Sequence, residues 1–223
     1  MNMMSPARLE TQPVKSISRT RPRTPLPYRV AAEANLFREG DVCRGLFEVV
    51  SGMFRLSRLT RGGHRYVVGF GFPGDILGYG PDDCHISDCD AVSDAKVIRH
   101  RPKLLRTSDA EPQKHQALLK GALRRVEAVQ EHCMMLGRNR ARDRVAAFLS
   151  LIGKRVGTQL GQYIEFDLPM PRADIADYLG LTTETVSRSL TELRQADLIA
   201  IENVHHIVLL RPQHLDALAE GEA

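Results

Sequence analysis

Long apolar runs are missing from this chain. No stretch approaches the ~18 residues that a membrane-spanning helix needs, and the first residues carry no apolar core of the kind a secretory signal requires. A membrane partner is therefore not expected, and a cytoplasmic setting is. Enzyme fingerprints are missing too. There is no nucleophile elbow, no P-loop and no dinucleotide-binding glycine pattern. The phrase GFGFPGD, residues 69–75, has three glycines, but at strand-turn spacing and with no helical pattern after it. An enzyme is not expected. Cysteine is scarce: Cys43, Cys84, Cys89 and Cys133 are scattered, and in such a chain they should stay reduced. The one local grouping, Cys84-His85-x3-Cys89, falls short of a structural zinc count, so no metal site is expected.

What is present bounds the rest. The 223 residues suffice for one large domain or two small ones. With 43% hydrophobic and 26% charged residues, a packed core is available. The net charge of +4 is compatible with a nucleic-acid partner without demanding one.

The texture changes along the chain. Residues 1–27 hold five prolines among Arg and Ser, the composition of a disordered, basic tail. Residues 28–106 alternate short apolar runs (LFEVV, MFRLSRL, HRYVVGF, AKVIRH) with glycine turns, which predicts a β-roll or sandwich. Residues 107–137 are helical in composition. Leu119, Ala122, Val126, Val129, Cys133 and Leu136 step by 3, 4, 3, 4, 3, a heptad seam. Such a stripe either docks on its own domain or pairs with a second copy. Its narrowness and lack of charge favour pairing, with Cys133 as a small buried apolar residue. Residues 138–223 read as a second helix, a strand-like YIEFDL, helix, tight Gly turn, helix and a hairpin around Glu202-Asn203. A last short helix follows. That order predicts a winged helix-turn-helix.

Within it, GLTTETVSRSL (residues 180–190) places Glu184, Ser187 and Arg188 on one helical face, with Val186 and Leu190 turned inward. A carboxylate, a hydroxyl and a guanidinium together make either a solvated surface with an i, i+4 ion pair or a reading head for something polar.

The series FREGD…LFEVVSG…FRLSR, then GFPGD, a long heptad helix and PRADIADYLGLTTETVSRSLTELRQADLI resembles the CRP/FNR family of bacterial transcription regulators, from about Asn35 to Leu218. The resemblance implies an α+β fold: a cyclic-nucleotide-binding-like β-roll (jelly roll), a long dimerisation helix and a C-terminal winged helix-turn-helix. ETVSR is similar to the FNR and FixK branches. It implies that Glu184 accepts from a cytosine amino group, that Arg188 donates to guanine, and that Ser187, with Thr183 beside it, meets a thymine or adenine edge. Arg172, Thr182 and Thr185 match positions that hold phosphates. The implied target is a TTGA-type palindrome in double-stranded DNA. The implied partners are a second copy of the chain and RNA polymerase.

Three effector readings follow. Family members that bind cyclic nucleotide carry a Glu and an Arg-Ser or Arg-Thr pair after the GD of the GFPGD phrase. Here no arginine occurs between Gly74 and Val97, and the stretch is acidic, so no cyclic nucleotide is expected. The iron–sulfur branch places cysteines near the N-terminus, and residues 1–42 contain none. No cofactor at all is the expectation, matching FixK-like proteins. The alternative is a redox- or metal-responsive switch at Cys84 and Cys89, against the plainer reading of an irregular acidic loop with two thiols. His205-His206 is expected at the wing, facing phosphate or solvent.

Overall fold

A computed structural model describes residues 26–80, 82–102, 111–203 and 205–220. The Pro-rich stretch up to residue 25, with its basic SRTRPRT segment, lies outside the described residues, as do residues 103–110. Eight short strands open the fold: β1 (Tyr28–Val30), β2 (Asn35–Phe37), β3 (Leu46–Ser51), β4 (Phe54–Leu59), β5 (Arg65–Gly71), β6 (Ile76–Leu77), β7 (Asp88–Ala91) and β8 (Ala95–His100). They pair antiparallel in two sheets, ordered β1-β8-β3-β6 and β2-β7-β4-β5. The inward members of each alternation, among them Phe54, Cys89, Ala91 and Val97, are fully buried between the sheets. Gly52 turns the β3–β4 hairpin with φ at 80°, and a Cβ there would strike Asp94 and Ala95.

One expectation is corrected here. Residues 84–90 are not an irregular loop throughout, because Cys89 sits in β7, 0% exposed, paired with Leu56 of β4 and Phe37 of β2. SDCDA alternates small inward residues with outward aspartates. The aspartates suggested a loop by composition, while the alternation makes a strand.

Helix α1 (Pro112–Leu136) begins on a proline, which suits the first helical turn. It carries two heptad stripes set one residue apart. Leu118, Gly121, Arg125, Ala128, His132 and Met135 lie toward their own chain and are buried or half-buried. Gly121 packs against Ile76 and Tyr79, and the Tyr79 hydroxyl donates to the Leu118 carbonyl at 2.7 Å. The expected seam lies about 100° round the helix. There Leu119, Val126, Val129 and Leu136 are 43%, 56%, 47% and 37% exposed. Cys133 is also exposed, and Ala122 is half-buried. Among the described residues nothing buries Cys133, because the stripe that docks is its neighbour.

The C-terminal part comprises α2 (Ala141–Val156), β9 (Thr158–Leu160), β10 (Tyr163–Asp167), α3 (Arg172–Leu179), α4 (Thr183–Gln195), β11 (Ile199–Ile201), β12 (His206–Leu209) and α5 (Pro212–Glu220). The sheet order is β11-β12-β10-β9, and strand β9, which the sequence reading lacked, pairs with β10 across Gly161. Phe148, Leu149, Ile152, Leu179, Leu193, Ile207 and Leu215 are all 0% exposed. Each such side chain contributes about 1.5–3 kcal/mol on burial. No helix among the described residues is long and apolar enough to cross a membrane.

The two halves share a joint. Phe70 of β5 meets Tyr178 of α3 edge-on, ring centroids 5.2 Å apart, and Phe148 of α2 at 6.0 Å. His132 of α1 stacks on Tyr178 at 3.8 Å, and its Nε2 lies 2.6 Å from the Tyr178 carbonyl. Beside these rings, Asp174 of α3 accepts from Arg55 of β4 at 2.6 Å and from Arg65 of β5 at 2.5 Å. Arg155 of α2 pairs with Asp75, just ahead of β6.

Gly121 tests the docking of α1. In Gly121→Val the new Cβ would stand 2.5 Å from the Ile76 side chain. Overpacking of this kind costs about 1–3 kcal/mol. The melting temperature, read by circular dichroism, should fall by about 3–10 °C. A melt within error of wild type would show that the helix does not sit this close to the β-roll.

Candidate nucleic-acid interface

Helix α3, the Gly turn and α4 form the helix-turn-helix. Gly180 caps α3 in the left-handed region, φ 62°, and its N–H returns to the Ala176 and Asp177 carbonyls. Thr182 then caps α4, its Oγ1 accepting from the Thr185 N–H at 3.2 Å. The paired threonines have a local explanation: Thr182 starts the helix and Thr183 is its first residue. The Thr182 and Thr185 hydroxyls lie 3.0 Å apart at the helix N-terminus, where backbone N–H groups and the helix dipole favour an anion.

Val186, Ser189, Leu190 and Leu193 of α4 are buried against α2 and α3. Thr183, Glu184, Ser187 and Arg188 are all exposed on the opposite side. Among the described residues no ion pair joins Glu184 to Arg188, so each is available outward. Hydrogen bonds from the backbone N–H of Glu184, then from the Thr182 hydroxyl, hold the Glu184 carboxyl below its ordinary pKa. It is a fixed acceptor at neutral pH. The Ser187 hydroxyl donates to the Thr183 carbonyl at 2.9 Å and must turn away from it to meet an outside partner. Arg172 opens α3 and is half-buried, and burial lowers its pKa. Six of the seven residues nominated for DNA contact therefore sit on the first half of α4 or at its cap, and Arg172 sits at the start of the helix before it.

The wing is the β11–β12 hairpin. The Asn203 side chain accepts from the N–H groups of both His205 and His206 at 2.9 Å. His206 Nδ1 lies 2.9 Å from Asp167. That bond chiefly, with Glu202 and Glu165 nearby, raises the His206 pKa despite desolvation. Its partner thus offsets the positive charge it would bring to a phosphate. No grouping among the described residues has the makings of a metal site. Cys84 lies half-buried beside the Val42 bridge, and burial pushes the Cys89 thiol far above its ordinary pKa.

Sequence reasoning missed the residues that hold this site in place. Asp174, Arg55 and Arg65 were unremarkable as letters. The available signal was Asp174 standing one turn before Tyr178, a carboxylate on the face that packs inward.

A β-roll, a long helix with an exposed apolar stripe and a winged helix-turn-helix with an exposed polar face define a DNA-binding regulator. The comparisons agree. Residues 28–106 match the cyclic nucleotide-binding domain family and residues 143–218 the Crp-like helix-turn-helix domain family. The chain is 38% identical over 186 residues to the nitrogen fixation regulation protein FixK of Bradyrhizobium diazoefficiens, covering 82% of this chain and 78% of that one. It is 32% identical over 213 residues to the FixK of Rhizobium meliloti, covering 96% and 95%. The structure of FixK2 from Bradyrhizobium japonicum superposes with a TM-score of 0.76 at 29% identity, covering 87% of this chain and 96% of that one. The protein belongs to the CRP/FNR family of transcription regulators, is FixK-like within it, and is not an enzyme.

Glu184→Ala tests the expectation that this carboxylate reads a base and holds no phosphate. It should flatten base preference at one position of each half-site, costing about 1–3 kcal/mol of discrimination there and leaving non-specific affinity unchanged. Selection of bound sequences from a random pool measures this, and an unchanged preference at every position would remove Glu184 from the reading head.

Proposed function

We propose that the protein is a homodimeric, sequence-specific activator that reads a TTGA…TCAA palindrome of the FNR/FixK type without cyclic nucleotide or iron–sulfur cofactor. The observation that carries this is the pairing of two exposed features: the polar face of Thr183, Glu184, Ser187 and Arg188, and the uncharged stripe Leu119–Leu136. A palindrome needs two reading helices about 34–36 Å apart, and a helix-mediated dimer supplies them. In that dimer Leu119, Ala122, Val126, Val129, Cys133 and Leu136 meet their counterparts, and Leu123, 64% exposed, extends the contact. Thr182, Thr185 and Arg172 hold phosphate. RNA polymerase is the partner through which an activator acts. Similarity to nitrogen fixation regulators points to genes of nitrogen fixation, denitrification or low-oxygen respiration.

The segment after Gly74-Asp75 supports effector independence. Tyr79 is tied to α1, and Cys84 closes over Gly80. The His85 ring stacks on Phe37 at 3.9 Å. The segment itself offers a cyclic phosphate these side chains and no arginine between Gly74 and Val97. Nothing comparable favours the switch at Cys84 and Cys89, because Cys89 faces the β-roll core.

Two measurements test the reading. Purified, metal-free protein should bind the palindrome selectively over a scrambled duplex at fixed salt, with or without reductant or cAMP, since salt alone shifts affinity steeply. Selectivity that required an additive would overturn effector independence. Val129→Glu should give a monomer in sedimentation, because two facing carboxylates would be buried unpaired. A dimer retained by that variant would place the interface elsewhere.

A further inference from the structure

The ion cluster at the joint is built for direction more than for adhesion. Asp174 is 1% exposed, and its two oxygens go to different arginines on adjacent strands: Oδ2 to Arg55 Nη1 and Oδ1 to Arg65 Nη2. The Arg55 side chain is 10% exposed, with Asp90 at 3.7 Å and Glu33 at 3.8 Å as further counter-charges. Arg65 reaches Asp177 at 3.7 Å as well. Desolvation alone would lower the Arg55 pKa, yet the Asp174 hydrogen bond and the surrounding carboxylates raise it overall. Arg55 therefore keeps its charge despite its burial. The aromatic contacts beside it tolerate small rotations. A carboxylate gripped from two sides by planar guanidinium groups does not, because the hydrogen bonds fail within tens of degrees.

The grip passes directly to the reading head. Ile175, Leu179, Val186 and Leu190 make α3 and α4 one packed unit, so what fixes α3 fixes α4. A second tie comes from α2, where Arg144 donates to the Leu179 carbonyl at 3.2 Å and to the Arg138 carbonyl at 2.9 Å. The cluster covers Asp174 and the adjoining face of α3. It covers none of Thr183, Glu184, Ser187 and Arg188, which remain exposed. The contact is therefore compatible with DNA binding and does not mask the site.

We infer that Arg55, Arg65 and Asp174 are positioning residues for DNA recognition, locking the helix-turn-helix to the β-roll in one orientation so that the accepted half-site spacing is set by the fold itself. This rests on the reading of α4 as the recognition helix of a dimer. A device that only added stability would weaken binding to all duplexes alike. A device that sets orientation controls spacing, because each inserted base pair shifts the second half-site by about 3.4 Å and turns it by about 34°.

The experiment titrates wild type, Asp174→Asn and Arg65→Gln, each checked for folding by circular dichroism, against three labelled duplexes. One carries a TTGA-type palindrome at its optimal spacing, one has two extra base pairs between the half-sites, and one has a single half-site. Arg65→Gln leaves Asp174 bonded to Arg55, so it gives a folded test should Asp174→Asn fail to fold. Wild type should prefer the optimal spacing by about 30-fold or more, the loss expected when one half-site goes unread. Both variants should prefer it by less than about 5-fold and keep single half-site affinity within about 3-fold of wild type. A folded variant that retains the wild-type spacing preference overturns the positioning role, whatever its affinity. Wild type that binds none of the three above a scrambled duplex overturns the DNA-recognition reading instead, and the positioning role with it.

Discussion

A carboxylate buried where water cannot reach it must be compensated within the protein, and Asp174 is compensated by arginines from two strands of the β-roll. Removing one side of such a buried arrangement costs about 3–5 kcal/mol, because the remaining charges are stranded. That constraint ties the architecture together. The β4–β5 hairpin has to present Arg55 and Arg65 at one place, α3 has to meet it with its polar inner face, and α4 follows α3. The aromatic contacts of Phe70, Phe148, Tyr178 and His132 join the same elements alongside.

Helix α1 solves a second problem by carrying two stripes. One face holds Gly121 against Ile76 and His132 against Tyr178, linking the long helix to both halves of its own chain. The face one residue on has an apolar surface that no described residue buries. Exposed Leu and Val in a row are costly in water and are the usual mark of a contact surface. The 3,4-spaced residues thus make two stripes, one docked and one exposed, with a rotation of about 100° between them.

Most of the architecture is legible in the letters because periodicity and turn chemistry are local. Strand runs between glycines, the heptad steps of residues 119–136, and the Gly180-Leu-Thr-Thr turn all declare themselves. That Glu184, Ser187 and Arg188 share an exposed side of one helix is legible for the same reason. What escaped was long-range. Nothing near Asp174 announces that its partners lie 119 and 109 residues earlier. The stripe Leu118–Met135 was hidden by Arg125 and His132, polar letters whose long or flat side chains pack well when folded. Cys89 was misplaced because acidic neighbours look like a loop, although every second residue points inward.

If Asp174 and its arginines fix α4, the two α4 helices of a dimer stand in a DNA-ready arrangement before DNA or any ligand arrives. Paired spin labels at Glu192, which is exposed on the flank of α4, would measure the separation between the two subunits of the free protein directly. A single narrow distance distribution, unmoved within a few ångströms when the palindrome is added, is the result expected of a fold that fixes α4. A broad distribution that narrows only on adding DNA would contradict it and would make DNA, not the joint at Asp174, the agent that sets the geometry.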